Sequence, residues 1–261
     1  CSRDWSSDVC SSDLPEQSGQ LVLTRSNDDG LTWSPPINLT SQVKDPSWRL
    51  CFDGPGAGIQ LRDGTLVIPG QYRDAATDGM PHSCLIWSDD HGATWRVSAP
   101  AVPAAFPTSE AQVAQLDDGA LLLTMRNEQR LGRRAWARYD WTGELSTGRW
   151  SEPWLIVPDP TCQAGLLRHS SGRLLLSNPD SSSQRLAMTL RTSGDGGRTW
   201  SDGRLLDPRP ASYSCLTELK DGSIGILYEC GDNYAAETLV FARFPLAWVE
   251  GTGQRTTVRR D

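Results

Sequence analysis

Ser26-Asn-Asp-Asp-Gly-Leu-Thr-Trp33, Ser88-Asp-Asp-His-Gly-Ala-Thr-Trp95 and Ser193-Gly-Asp-Gly-Gly-Arg-Thr-Trp200 are three copies of one pattern, Ser-x-Asp-x-Gly-x-Thr-Trp. Gly148-Arg-Trp150-Ser151 ends like Gly197-Arg-Thr-Trp200-Ser201 and reads as a worn fourth copy. The four Trp stand at 33, 95, 150 and 200, spaced 62, 55 and 50 residues. A turn repeated at about this interval marks a repeat architecture whose unit is one supersecondary element. Each copy suits a tight turn. Gly30, Gly92 and Gly197 accept the positive φ such a turn demands. The Asp two residues earlier is placed to bond backbone N–H groups. A calcium loop is the competing reading of Asp-x-Gly, but the rest of the ligand series and its closing Glu do not follow.

A second repeat runs in phase with the first. Arg62-Asp-Gly64, Asp117-Asp-Gly119, Ser171-Gly172 and Lys220-Asp-Gly222 each lie between two apolar runs, with the Gly spaced 55, 53 and 50 residues apart. Apolar run, Gly turn, apolar run is a β-hairpin. Each unit therefore predicts a hairpin, a third strand, the Asp-containing box and a fourth strand, which is a propeller blade. No stretch carries sustained 3.6-residue periodicity, so the expected fold class is all-β.

The composition agrees with that class and narrows the function. The chain has 261 residues, 24 Gly, 17 Pro and 11 Trp against 4 Phe. A net charge of −7 argues against nucleic acid and anionic membrane surfaces as partners. No apolar run approaches membrane-spanning length. Seven Cys, an odd number without metal-like spacing, give no disulfide framework, and no motif calls for a metal or other cofactor. His82, His91 and His169 show no ligand spacing either.

Residues 1–20 lack the blade pattern, repeat Ser-Ser-Asp and resemble translated adapter sequence, so they are set apart as a non-native or disordered leader. The expected organisation is a propeller over 21–249 and a polar tail over 250–261. The pattern enters at Leu21 in the third strand of a blade, which leaves about four blades plus part of another and predicts missing N-terminal sequence. Open blades would leave strand edges unpaired, a route to aggregation.

The hairpins also define slots. The start of the first strand and the end of the second share the rim opposite the Gly turn. Glu110 lies nine residues before Gly119 and Tyr213 nine before Gly222. Arg126 lies seven after Gly119 and Glu229 seven after Gly222. Blades converge on an axis, so these four side chains are expected at one mouth. Arg185 joins them at the start of a third strand, with the Asp boxes on the far face.

On these residues the chain resembles the exo-α-sialidases. The resemblance is carried by the Asp boxes, Gly54-Pro-Gly-Ala-Gly-Ile-Gln-Leu61, Met125-Arg-Asn127, Gln184-Arg185, and Ser212-Tyr-Ser214 leading to Leu227-Tyr-Glu229, in order over about residues 21–249. It implies a six-bladed β-propeller, incomplete here, that hydrolyses terminal α-linked sialic acid from glycoproteins, gangliosides and oligosaccharides. It implies that Arg126 and Arg185 hold the substrate carboxylate, that Tyr213 is a nucleophile paired with Glu110, and that Glu229 supports a further Arg. Gln71 and Tyr72, ending a second strand at the rim, are candidate substrate contacts. The family's Arg-Ile-Pro motif does not occur in the chain, and the acid/base Asp that follows it is expected to be absent with it. This stretch alone is therefore expected to be severely impaired in catalysis. The sequence leaves the location unknown; a secreted or periplasmic one is compatible with a bacterial parent.

The chemistry accounts for these residue types. Guanidinium groups bind a carboxylate bidentately with charge assistance. A carboxylate nucleophile would be repelled by the substrate's own carboxylate, whereas a neutral phenol is not, and sialidases are a known Tyr exception among retaining glycosidases. The phenol is a weak nucleophile near neutral pH and needs a proton acceptor, here Glu110. Each residue alone has an ordinary alternative: Arg126 and Arg185 in surface ion pairs, Glu110 in a solvated loop, Tyr213 as a buried aromatic, Glu229 capping a strand. Two other readings of the whole stay open: a non-catalytic Asp-box propeller that binds glycan or protein, and a trans-sialidase that passes the sugar to a second glycan.

Overall fold

The computed structural model of the chain describes residues 19–74, 76 and 78–251. The expected leader, apart from its last two residues, and the tail beyond residue 251 lie outside the described residues. The architecture is a run of antiparallel sheets arranged as successive blades. A two-stranded piece, β1 (Val22–Leu23) and β2 (Ile37–Asn38), flanks the first Asp box. The next sheet holds β3 (Trp48–Asp53), β4 (Ile59–Gln60), β5 (Leu66–Asp74), β6 (Pro81–Ser88) and β7 (Arg96–Val97). A third comprises β8 (Thr108–Gln115), β9 (Leu121–Asn127), β10 (Arg133–Asp140), β11 (Arg149–Trp150) and β12 (Trp154–Pro158). Then come β13 (Gly165–Arg168), β14 (Leu174–Pro179), β15 (Leu186–Ser193), β16 (Arg204–Glu218), β17 (Ile224–Cys230) and β18 (Thr238–Phe244). Two four-residue helices, Thr40–Val43 and Leu246–Val249, and one 3-10 turn, Leu145–Thr147, complete the described elements.

The last six strands form two blades joined through one strand. β16 is 15 residues long: its first half pairs with β15 as an outer strand, and its second half pairs with β17 as the inner strand of the next blade. In the first full blade the inner strand is instead interrupted. β3 and β4 both pair with β5, and the break is the glycine run after Asp53. There Gly56 sits at φ +137° with Gln112 so close that an added Cβ would lie 1.9 Å from its Nε2. The run serves close packing between neighbouring inner strands.

The boxes close as the sequence predicts. Asp28, Asp90 and Asp195 each accept the N–H and hydroxyl of the Thr four residues on, while Ser26, Ser88 and Ser193 each accept the box Gly N–H. The three glycines have φ of +85°, +89° and +84°. Trp33 and Trp95 donate their indole N–H back to Gly30 and Gly92, whereas Trp200 packs against Trp136 at 5.1 Å. The worn copy keeps the anchoring bonds. Ser151 donates its N–H to Arg138 O and accepts Arg138 N–H, as Ser34 does with Arg25 and Ser201 with Thr192.

Four apolar clusters lie largely between consecutive sheets. Leu85, Trp87, Leu121 and Leu123 fill one gap; Leu122, Trp136, Leu174 and Leu176 fill the next. The Asp-Gly turns share one rim and are tied across blades. Arg62 donates to the carbonyls of Leu116 and Asp117 at 3.0 Å, Arg168 pairs with Asp117, and Ser170 N–H reaches Glu218 at 2.8 Å. Blade packing and this belt of bonds together fix the opposite rim, where the candidate residues stand.

Candidate active site

Glu110 and Tyr213 occupy the same slot in two blades, and both sit in β-bulges. On β8, Ser109 pairs with Arg126 and Ala111 with Met125, so Glu110 is the extra residue. On β16, Ala211 pairs with Cys230 and Ser214 with Tyr228, so Ser212 and Tyr213 oppose a single residue of β17. A bulge bends the strand and re-aims a side chain that the pleat would otherwise direct elsewhere.

The two side chains meet although 103 residues separate them: Tyr213 Oη donates a hydrogen bond to Glu110 Oε1. Arg126 Nη1 donates to Glu110 Oε2 at 3.0 Å and lies 3.4 Å from Tyr213 Oη. Arg126 is only 7% exposed, and its Nε makes an ion pair with Glu128 Oε1 at 3.1 Å in which the N–H is out of line for a hydrogen bond. Ser109 hydroxyl donates to that same Glu128 oxygen. Glu229 accepts the Tyr213 backbone N–H at 3.1 Å, so it fixes the main chain at the bulge. Arg185 is exposed, its Cζ 5.7 Å from the Tyr213 ring centroid, with Nη1 3.4 Å from Ser212 hydroxyl and Nη2 3.4 Å from Thr161 O. Five predicted residues thus converge on one mouth.

The electrostatics suit a proton-relayed nucleophile. Burial, then the negative charge of Glu110, push the Tyr213 phenol well above its ordinary value, so it is neutral at physiological pH. Burial works against the Arg126 charge, but Glu110 and Glu128 outweigh it and hold the guanidinium protonated. Burial pushes the neighbouring Cys162 thiol up to about 11, so it stays protonated at physiological pH. A cleft of about 670 Å³ opens elsewhere, between Asp117, Arg138, Trp154, Arg168 and Asp195, and none of the mouth residues lines it.

Gln71 and Tyr72 lie next to one another on β5, so their side chains take opposite faces. Tyr72 is committed to packing: its ring stacks on Trp48 at 3.8 Å and 8° and belongs to an apolar cluster with Leu39, Val43 and Ile86. Gln71 is buried and holds, seven residues after Gly64, the slot that Arg126 holds after Gly119. Sequence reasoning missed Glu128, Ser109 and Gln163. The slot count reaches the last of these, since Gln163 lies nine residues before Gly172. Glu128 stands two residues beyond Arg126, where a strand returns to the same face.

The model of the BNR repeat-like domain family matches residues 8–226. The chain belongs to the BNR repeat-like domain family. A sialidase of Bacteroides fragilis is 40% identical over 237 residues, covering 87% of this chain and 42% of that protein. A sialidase of Micromonospora viridifaciens is 37% identical, with 88% of this chain and 36% of that protein covered. Among solved structures, the Hadza microbial sialidase Hz136 superposes with a TM-score of 0.79 at 42% identity, over 90% of this chain and 45% of that one. The chain thus spans less than half the length of these relatives, and its fold is the β-propeller of sialidases.

Proposed function

We infer that this chain carries the nucleophile half of an exo-α-sialidase site, which releases terminal α-linked sialic acid from glycans with retention of configuration. The observation that carries the reading is the triad of Tyr213, Glu110 and Arg126, brought together from distant blades in mutual contact. A scaffold propeller has no use for a half-buried phenol bonded to a carboxylate beside a buried guanidinium. The trans-sialidase alternative would use the same triad, so these contacts do not separate it from hydrolysis.

In the proposed reaction the substrate carboxylate lies against Arg185 and the outer face of Arg126. The Tyr213 oxygen attacks the anomeric carbon as its proton passes to Glu110. The glycosidic C–O bond breaks, and the leaving oxygen takes a proton from the acid that the resemblance places ahead of this stretch. Water then attacks the same carbon and gives its proton to the conjugate base of that acid, the Tyr–carbon bond breaks, and Glu110 returns its own proton to the phenolate. Glu229 holds the Tyr213 backbone through both steps. Gln71 keeps its role as a substrate contact in this scheme, and Tyr72, stacked on Trp48, does not. The stretch by itself, lacking the Arg-Ile-Pro motif, turns over poorly.

A fluorogenic sialoside assay on the full-length protein tests this reading. Turnover by the wild type and its loss in Tyr213→Phe are expected. Equal turnover by both would refute it.

A further inference from the structure

Between β12 and β13, the five residues Asp159–Gln163 cross from one blade to the next, and three in succession reach the site. Thr161 O lies 3.4 Å from Arg185 Nη2, Cys162 Sγ lies 3.6 Å from the Ser212 hydroxyl, and Gln163 grips Ser214. That grip is two-handed: Gln163 Oε1 accepts Ser214 N–H at 2.9 Å while Nε2 donates to Ser214 O at 3.0 Å. Ser212 and Ser214 are the two neighbours of Tyr213.

The grip replaces something the fold lacks. The inner half of β16 pairs with β17 on one side only, so its other edge presents bare backbone groups. Ser214 directs both its groups to that edge, immediately after the bulge where the ladder is out of register. The Gln163 amide has the same donor and acceptor pair as a peptide group and stands in for the absent strand. Glu229 satisfies the Tyr213 N–H from the other side.

The crossing segment is itself pinned. Asp159 accepts Arg134 Nη1 at 2.9 Å and Cys162 N–H at 3.0 Å, and Arg134 Nη1 also donates to Cys162 O at 2.6 Å. Arg134 and Asp159 side chains are both fully buried. Between them Thr161 is held at φ +60°, a conformation that a β-branched residue rarely adopts. Such a backbone persists where its surroundings over-determine it, and here it aims a carbonyl at Arg185.

The geometry points to Gln163 as a positioning residue for Tyr213, anchored by the Arg134–Asp159 pair through the turn between them. This rests on the reading of Tyr213 as the nucleophile. Gln163 acts through the Ser214 backbone and fixes the direction from which the phenol approaches substrate, while binding of the sugar carboxylate depends on other groups.

Gln163→Met in the full-length protein removes both bonds at similar volume. The expected result is a fall in kcat of about 10- to 100-fold, the penalty of a misplaced reacting group, with KM within about threefold. The Ser214 amide should exchange with deuterium at least about tenfold faster while amides of β9 keep their protection. Gln163→Glu, which still accepts from Ser214 N–H, should retain more of kcat than the Met variant. Unchanged kcat, unchanged Ser214 exchange, or the reverse order of the two variants would overturn the proposal. Failure of the underlying reading has a different signature, a Tyr213→Phe protein as active as wild type.

Discussion

Replacing Glu110 by Gln tests the proton relay with the least disturbance of shape. The amide of the Glu110→Gln variant would still accept a hydrogen bond from the phenol but could not take its proton near neutral pH. Tyr213 is half-buried, and that burial together with Glu110 pushes its ionisation above an ordinary phenol's pKa of about 10. At pH 7 even an unperturbed phenol is only about one part in a thousand phenolate, so direct ionisation cannot replace the base. Loss of a positioned general base costs about 10²- to 10⁴-fold, or about 2.7–5.4 kcal/mol of transition-state stabilisation. The substitution should leave the fold standing, because Arg126 keeps its ion pair with Glu128 at 3.1 Å. It also removes a negative charge that raises the phenol's pKa, leaving Arg126 to lower it. The residual rate of Glu110→Gln should therefore climb with pH where the wild type does not. Initial rates on a fluorogenic sialoside across pH 5–9, taken as about the range the protein tolerates, measure both effects. A loss of less than about tenfold, or a variant profile parallel to wild type, would refute the relay.

Three further outcomes follow from the fold. Arg134→Met should cost about 3–5 kcal/mol in urea unfolding, because it strands the fully buried Asp159, and Arg134→Met with Asp159→Leu should recover part of that loss; a single-variant cost below about 1 kcal/mol would contradict the buried pair. Burial works against the charge of Asp195, but the bonds from Thr199 outweigh it and hold the carboxyl at about 2. Its folded value is below the unfolded one of about 3.9, so its contribution is complete above that pH and lost as pH falls toward the folded value. The difference in unfolding midpoint between wild type and Asp195→Asn should shrink from pH 5 to pH 2, roughly the window those two values set, and a constant difference would count against the box geometry. Gly56→Ala should lower the melting temperature, since its Cβ would intrude on Gln112 at 1.9 Å; an unchanged melting temperature would mean that Gln112 is not confined there.

The repeat made the fold readable. Box and hairpin glycines set the blade phase, and from that phase the shared slots of Glu110 with Tyr213 and of Arg126 with Glu229 put four side chains at one mouth. The bulges at Glu110 and Tyr213 were not readable, because no glycine or proline marks them and they arise from how neighbouring strands compete for register. The continuous β16 was hidden too: Pro208 and Pro210 suggest a break, yet one strand edge pairs before the bend and the other after it. Tyr72 shows the limit of reasoning by rim position alone, since adjacent strand residues face opposite ways and the partner that claims its ring, Trp48, lies 24 residues away. Gln163 and Glu128 lay within reach of the slot count and of strand alternation, but their partners Ser214 and Arg126 Nε depend on packing across blades and at a strand end that local pattern does not fix.

The claim at the centre is that the phenol of Tyr213 becomes covalently bonded to the sugar's anomeric carbon. Full-length protein treated with 2,3-difluorosialic acid, then digested and analysed by peptide mass spectrometry, tests it directly. The account predicts one sugar adduct, on the peptide containing Tyr213 and on that oxygen. An adduct on Glu110, or turnover of sialosides by the untreated protein with no adduct at Tyr213, would contradict it.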